Sequence, residues 1–82
     1  MKTRLLKRLR RKSKNNVVIY KKLDWSFPYH IGCLDNKVHW VITSYRTLEE
    51  AKIKLIEERR YYIVKVIKMM RIERENKQLR KI

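Results

Sequence analysis

Apolar residues in the C-terminal half of the chain recur at three- and four-residue steps. Leu48, Ala51, Leu55, Ile56, Tyr62, Ile63, Val66, Ile67, Met69 and Met70 make one broad face, while Lys54, Glu57, Glu58, Lys65, Lys68 and Arg71 fall on the other. The stretch 47–80 contains neither Gly nor Pro. Thr47 with Glu50 three positions on reads as a capping box, in which hydroxyl and carboxylate each satisfy a free N–H of the first turn. Glu49 and Glu50 sit at the positive end of the helix dipole, Arg80 and Lys81 at the negative end. The pattern predicts one helix of roughly 50 Å at 1.5 Å per residue. Residues 61–67 (YYIVKVI) have strand composition, so a helix over 48–59 followed by a strand over 61–68 is the alternative; the lack of any breaker between the two favours the continuous helix.

Upstream the period changes to two. Residues 17–23 (VVIYKKL) read as a first strand, 24–28 as irregular chain, and 29–34 and 38–45 as two further strands. Pro28 cannot donate to a ladder and holds Phe27 extended. Asp35 and Asn36 form a plausible two-residue hairpin turn, which sets Cys33 opposite Val38 and Ile31 opposite Trp40. In the third strand Val38, Trp40 and Ile42 share one face; His39, Val41, Thr43 and Tyr45 share the other. Gly32, inside the second strand, marks a bulge or a close approach. Leu5, Leu6 and Leu9 could line one side of a short helix, marginal by itself in water because it is short and densely charged. The expected fold is α+β: a small three-stranded antiparallel sheet packed on one long C-terminal helix, with a basic N-terminal arm. The arm covers 1–16 and a single β-β-β-α domain 17–71. Residues 72–82 are a projecting helix end, because Glu73, Arg74 and Lys77 continue the apolar face beyond Met70.

At 82 residues the chain is limited to one domain with a small core. Charge changes the picture most. The net charge is +15, from 23 Lys and Arg against 8 acids. Residues 1–14 carry eight cations and no acid, 15–46 four cations and two acids, and 47–82 eleven cations and six acids. Self-repulsion at that density favours a polyanionic partner, with nucleic acid first, an anionic membrane surface second and an acidic protein third. Cys33 is the single cysteine and has no internal disulfide partner, which suits a reducing compartment. No apolar run approaches the ~20 residues of a membrane span. The basic start is too broken by charge to be a secretory signal; it shares an Arg-rich, acid-free character with organelle presequences but lacks their cleavage context. The expected location is the cytoplasm or a virion.

Four groups of side chains are candidates for chemistry. Lys2, Arg4, Lys7, Arg8, Arg10, Arg11, Lys12 and Lys14 in the arm, with Lys21 and Lys22 on the first strand, are expected to contact nucleic-acid phosphates. Such contacts position a protein without reading sequence, and they suit DNA, RNA or an anionic lipid alike. The aromatics Trp25, Phe27, Tyr29, Trp40 and Tyr45 either stack bases or build the core; core is the favoured reading, most strongly for Trp40. His30, Cys33 and His39 are metal-ligand types, but a structural zinc wants four ligands at paired spacings, so no metal is expected. Nothing in the chain resembles an activated thiol, paired carboxylates or a Gly-rich phosphate loop, so the protein is read as a non-enzyme without a cofactor. The cations of the long helix, among them Arg59, Arg60, Arg74 and Lys77, would extend a nucleic-acid footprint or simply solvate the surface. Tyr62, Val66, Met69, Met70, Arg74 and Lys77 are the candidate partner-binding set, for a protein partner or a homodimer.

The strand order followed by a helix opening Y45-R46-T47-L48-E49-E50-A51 resembles the three-stranded-sheet-plus-helix DNA-binding modules, the plant AP2 type and the arm-binding domains of tyrosine integrases. The likeness covers about residues 17–60. It implies a sheet that reads the major groove, although only Lys21, Lys22 and Lys37 stand where that family carries strand arginines. The start M1-K2-T3-R4-L5-L6-K7-R8-L9-R10, the T47-L48-E49-E50-A51 opening and the ending N76-K77-Q78-L79-R80-K81-I82 are similar to the short Lys/Ile/Asn-rich basic proteins of crAss-like bacteriophages of gut Bacteroidota. That likeness implies a virion component or a host-takeover protein. Two functions are therefore expected from sequence. One is a small non-enzymatic nucleic-acid-binding protein using a basic arm for phosphate contacts. The other is a phage structural or protein-interaction component docking through its long helix.

Overall fold

The computed structural model describes residues 3–23 and 25–80. Met1, Lys2, Asp24, Lys81 and Ile82 lie outside them, so the expectations for Lys2 and for Lys81 at the helix end do too. The elements run α1 (Thr3–Asn16), β1 (Val17–Lys21), β2 (Tyr29–Cys33), β3 (Thr43–Tyr45) and α2 (Leu48–Arg80). The strands form one antiparallel sheet in the order β1-β2-β3. The α+β architecture expected from the sequence is present, with one added element.

That element is α1. The segment expected as an arm that orders on a polyanion is a helix seated on the body of the protein. Its strip Leu5, Leu9 and Ser13 turns inward, and Leu9 is only 3% exposed within the core. A 14-residue helix with this charge needs such docking, because its own propagation free energy does not cover the nucleation cost. Several carbonyls of its second half accept side-chain bonds. Ser13 Oγ donates to Arg10 O at 2.7 Å, Asn16 Nδ2 to Lys12 O at 3.0 Å, and Arg59 Nη2 to Lys14 O at 3.4 Å. No loop separates α1 from β1. Arg59 Nε donates to Val17 O at 3.2 Å and Leu34 N to Asn16 O at 2.7 Å, so the carbonyls at this junction are paired.

In the sheet Val17 opposes Cys33, Ile19 opposes Ile31, Tyr20 opposes His30, and Ile31 opposes Thr43. Alternation sends Val17, Ile19, Ile31, Cys33 and Tyr45 toward the helices. Val18, Tyr20, His30, Gly32 and Ser44 lie on the opposite face. The first strand ends at Lys21, two residues earlier than its pattern suggests, and Lys22 N closes the connection by donating to Pro28 O at 2.8 Å.

The expected Asp35-Asn36 hairpin is corrected. Val38 N donates to Asp35 O at 3.2 Å, so a turn does form, but β3 begins only at Thr43. Val38 therefore does not pair with Cys33, nor Trp40 with Ile31. The reason lies in α2: Tyr62 Oη donates to Asp35 Oδ2 at 2.8 Å and pulls this segment toward the helices. Val38 then enters the core, and Trp40 packs against Tyr61 and Tyr62 at ring-centroid distances of 5.7 and 6.3 Å.

The long helix is continuous through residues 61–67, so the strand alternative is not adopted. Glu50 N donates to Thr47 Oγ1 at 3.2 Å, the hydroxyl half of the expected capping box. Ala51, Tyr62 and Val66 are buried, and Leu55, Ile63, Ile67 and Met69 are half-buried, a spacing of three and four that only a helix turns to one side. The predicted face is broader than the cover available, leaving Leu48, Ile56 and Met70 exposed. Residues 71–79 are all exposed, and the longest dimension of the protein is 53 Å.

Candidate nucleic-acid interface

With Leu5, Leu9 and Ser13 turned inward, a helical period sends the cations of α1 outward. Arg4, Lys7, Arg8, Arg10, Arg11, Lys12 and Lys14 are all exposed. Among the described residues none of them forms an ion pair; Lys54 with Glu57, at 3.5 Å, is the ion pair found there. No direct ion pair therefore neutralises the charge of α1 among the described residues.

The two helices run antiparallel, because Asn16 and Lys14 meet Tyr62 and Arg59 while Leu5 and Leu9 lie beside Met69 and Val66. This pairing adds α2 cations to those of α1. On one side of the helix pair Arg10, Lys14, Arg59 and Arg60 rim a groove of about 400 Å³ floored by Leu6, Ile56 and Ile63, and no carboxylate lines it. On the other side Arg8, Lys12 and Lys37 share a groove with Asp35, Glu73, Met69 and Met70. The first groove is lined by four cations and no carboxylate, the second by three cations and two carboxylates. Arg59 and Arg60 were legible in the sequence only as helix-surface charge, since their partners in α1 depend on how the two helices pair.

Lys21 and Lys22 are exposed as well, but they stand at the far end of β1 from α1, ~16 Å away at 3.3 Å per residue. They join a different group. Lys22 Nζ lies 4.9 Å from the Trp25 ring centroid and 5.9 Å from that of Tyr20, and Lys21 Nζ lies 5.4 Å from that of Tyr29. Arg46, not singled out from the sequence, lies 5.1 Å over Phe27. Trp25 and Phe27 are exposed, whereas Tyr29, Trp40 and Tyr45 are half-buried. The core reading holds best for Trp40 and Tyr45, which pack on the central cluster.

A polar node supports α1 from below. Tyr62, fully buried, donates to Asp35 and accepts from Asn16 Nδ2 at 3.3 Å. The Tyr62 hydroxyl holds the Asp35 carboxyl below the usual carboxylate range, and Lys37 and Lys12 act in the same direction. Burial, followed by the bond to Asp35, pushes the Tyr62 phenol upward. In the proposed partner-binding set, Tyr62 and Val66 are thus taken up inside the chain; Met69 is half-buried, and Met70, Arg74 and Lys77 are exposed.

The three metal-ligand types are dispersed. His30 is buried in the sheet with Nδ1 2.9 Å from Ser44 Oγ, His39 is exposed in the connection, and Cys33 faces the core. Burial pushes the Cys33 thiol up, away from the thiolate a ligand or nucleophile needs. Among the described residues no three His, Cys, Asp or Glu side chains converge as a metal site, and no helix is long and apolar enough to cross a membrane. Compared with known proteins, the chain matches no family model, no curated protein and no solved structure.

Proposed function

We propose that this protein is a small non-enzymatic nucleic-acid-binding protein that grips phosphates with α1, inside a cell or a virion. One observation carries the reading: seven cations stand exposed on a single docked helix, and none is ion-paired among the described residues. The groove rimmed by Arg10, Lys14, Arg59 and Arg60 adds to it, because a run of phosphates supplies the charge that groove lacks. Each phosphate engaged releases a counterion, so affinity falls with salt on a log–log plot by about 0.9 per contact on duplex DNA.

The test is fluorescence anisotropy with labelled duplex DNA, single-stranded DNA and RNA across a salt series. Deleting residues 1–14 would remove Leu9 from the core, so neutralisation is the cleaner perturbation. Lys7→Gln, Arg8→Gln and Arg11→Gln combined are expected to lower the duplex salt slope by about 2 to 3 while leaving the circular-dichroism spectrum unchanged. Binding no tighter than that of an equally charged unstructured peptide, or an unchanged slope, would refute the proposal.

The second reading, a virion or protein-interaction component, is favoured by the exposed end of α2, where Met70, Ile72 and Leu79 lie open among Arg74 and Lys77. Apolar docking there would be largely insensitive to salt. A strict monomer by analytical ultracentrifugation at moderate salt counts against self-association through this helix.

A further inference from the structure

The side of the sheet away from the helices carries an unusual concentration of rings. Tyr20 and His30 stack in parallel at 5.3 Å, and Trp25 meets His30 nearly at right angles at 5.2 Å. Trp25 remains 57% exposed and Phe27 42%. The Tyr20 ring lies over Gly32, where an added Cβ would stand 3.0 Å from Tyr20 Cε1. Tyr20, Val18 and Gly32 also form the floor of an open groove of about 650 Å³ walled by the β2–β3 connection. The rings and the groove are therefore one continuous surface joined through Tyr20.

We infer that this uncovered sheet face stacks the bases of a single-stranded nucleic acid, with Trp25 as the principal platform. The inference rests on the phosphate-binding reading above and extends it by naming the form of nucleic acid. Large exposed rings on a small domain are costly in water and are covered well by another π-face. The cations bear on the occupant. Lys22 Nζ lies 4.9 Å from the Trp25 centroid and 5.9 Å from that of Tyr20, and the Arg46 guanidinium 5.1 Å from that of Phe27. A membrane interface also accepts a ring beside a lysine, whose charge stays in the headgroup layer, and the vesicle probe below separates that case. A nucleotide presents a base and a phosphate within one repeat, so it meets ring and cation together. A duplex keeps its bases stacked on each other and cannot use the platform.

The experiment compares the full chain on four probes: a 12-nucleotide oligothymidylate, an abasic phosphodeoxyribose strand of the same length, duplex DNA, and phosphatidylserine-containing vesicles. The base-bearing strand is expected to bind about tenfold more tightly than the abasic one. Trp25→Leu should erase that difference without changing abasic or duplex binding, and Trp25→Phe should keep most of it. Equal affinity for the base-bearing and abasic strands overturns this inference while leaving phosphate binding standing. Absence of binding to every nucleic-acid probe overturns both. Loss of vesicle binding in Trp25→Leu, with oligothymidylate affinity unchanged, overturns the inference in favour of a membrane contact.

Discussion

Replacing Tyr62 with Phe removes one oxygen from the centre of the protein and nothing from its packing. That oxygen donates to Asp35 Oδ2 at 2.8 Å and accepts from Asn16 Nδ2 at 3.3 Å, so it ties the β2–β3 connection to α2 and the end of α1. A hydrogen bond to a charged group contributes about 1.5–3 kcal/mol. Asp35 is half-buried, and water can replace part of what is lost, so a cost of about 1.5 kcal/mol is expected. In a domain of this size that lowers the thermal midpoint by roughly 6–12 °C. The effect should depend on pH in one direction. The hydroxyl holds the Asp35 carboxyl below its unfolded value, so the bond contributes fully above the unfolded pKa and is lost as pH falls through the folded one. With an unfolded carboxylate near about 3.9, the gap between wild type and Tyr62→Phe should be constant above about pH 5 and shrink below about pH 4. Urea titrations followed by circular dichroism would measure it, with Asp35→Asn as the control that carries no titration. A gap that stays constant from about pH 7 to about pH 2 would refute the coupling, because the partner of Tyr62 would then not be the ionised carboxylate.

Leu9→Ala should cost about 2–4 kcal/mol and reduce helical circular dichroism, since it empties the contact that seats α1; equilibrium urea unfolding checks it. Gly32→Ala should cost about 1 kcal/mol by tilting the Tyr20 ring away from His30, and a double-mutant cycle with Tyr20→Val should recover most of that loss.

Local patterns read well in this chain, and long-range ones did not. Thr47 and Glu50 marked the start of α2 because a cap is a matter of spacing alone, and the helix held through 61–67 because Tyr62, Val66 and Met69 repeat at helical steps despite their strand propensity. The hairpin at Asp35 failed for the opposite reason. Its alternating pattern was real, but a hydroxyl 27 residues away claims the Asp35 carboxylate, and Val38 was needed in the core. The cations of the candidate interface were visible as composition. Their arrangement was not, because the groove joining Arg10 and Lys14 to Arg60 exists only once the two helices lie antiparallel.

The junction at Asn16 and Val17, where helix becomes strand without a loop, bears on how the basic surface would meet the proposed polyanion. Val17 is fully buried, and its carbonyl is held by Arg59. For α1 to swing outward, Leu9 would have to leave the core and the bonds from Arg59 to Lys14 O and from Leu34 N to Asn16 O would have to break. A flexible tail ordering on a polyanion would lose about 1–2 kcal/mol of backbone entropy per residue. Here that loss is incurred once, during folding, and under the proposed function a polyanion would meet an already ordered helix. Association with duplex DNA, which makes no use of the Trp25 ring, should accordingly be governed by diffusion and electrostatic attraction, with no slow ordering step, and calorimetry should record little change in heat capacity on binding it.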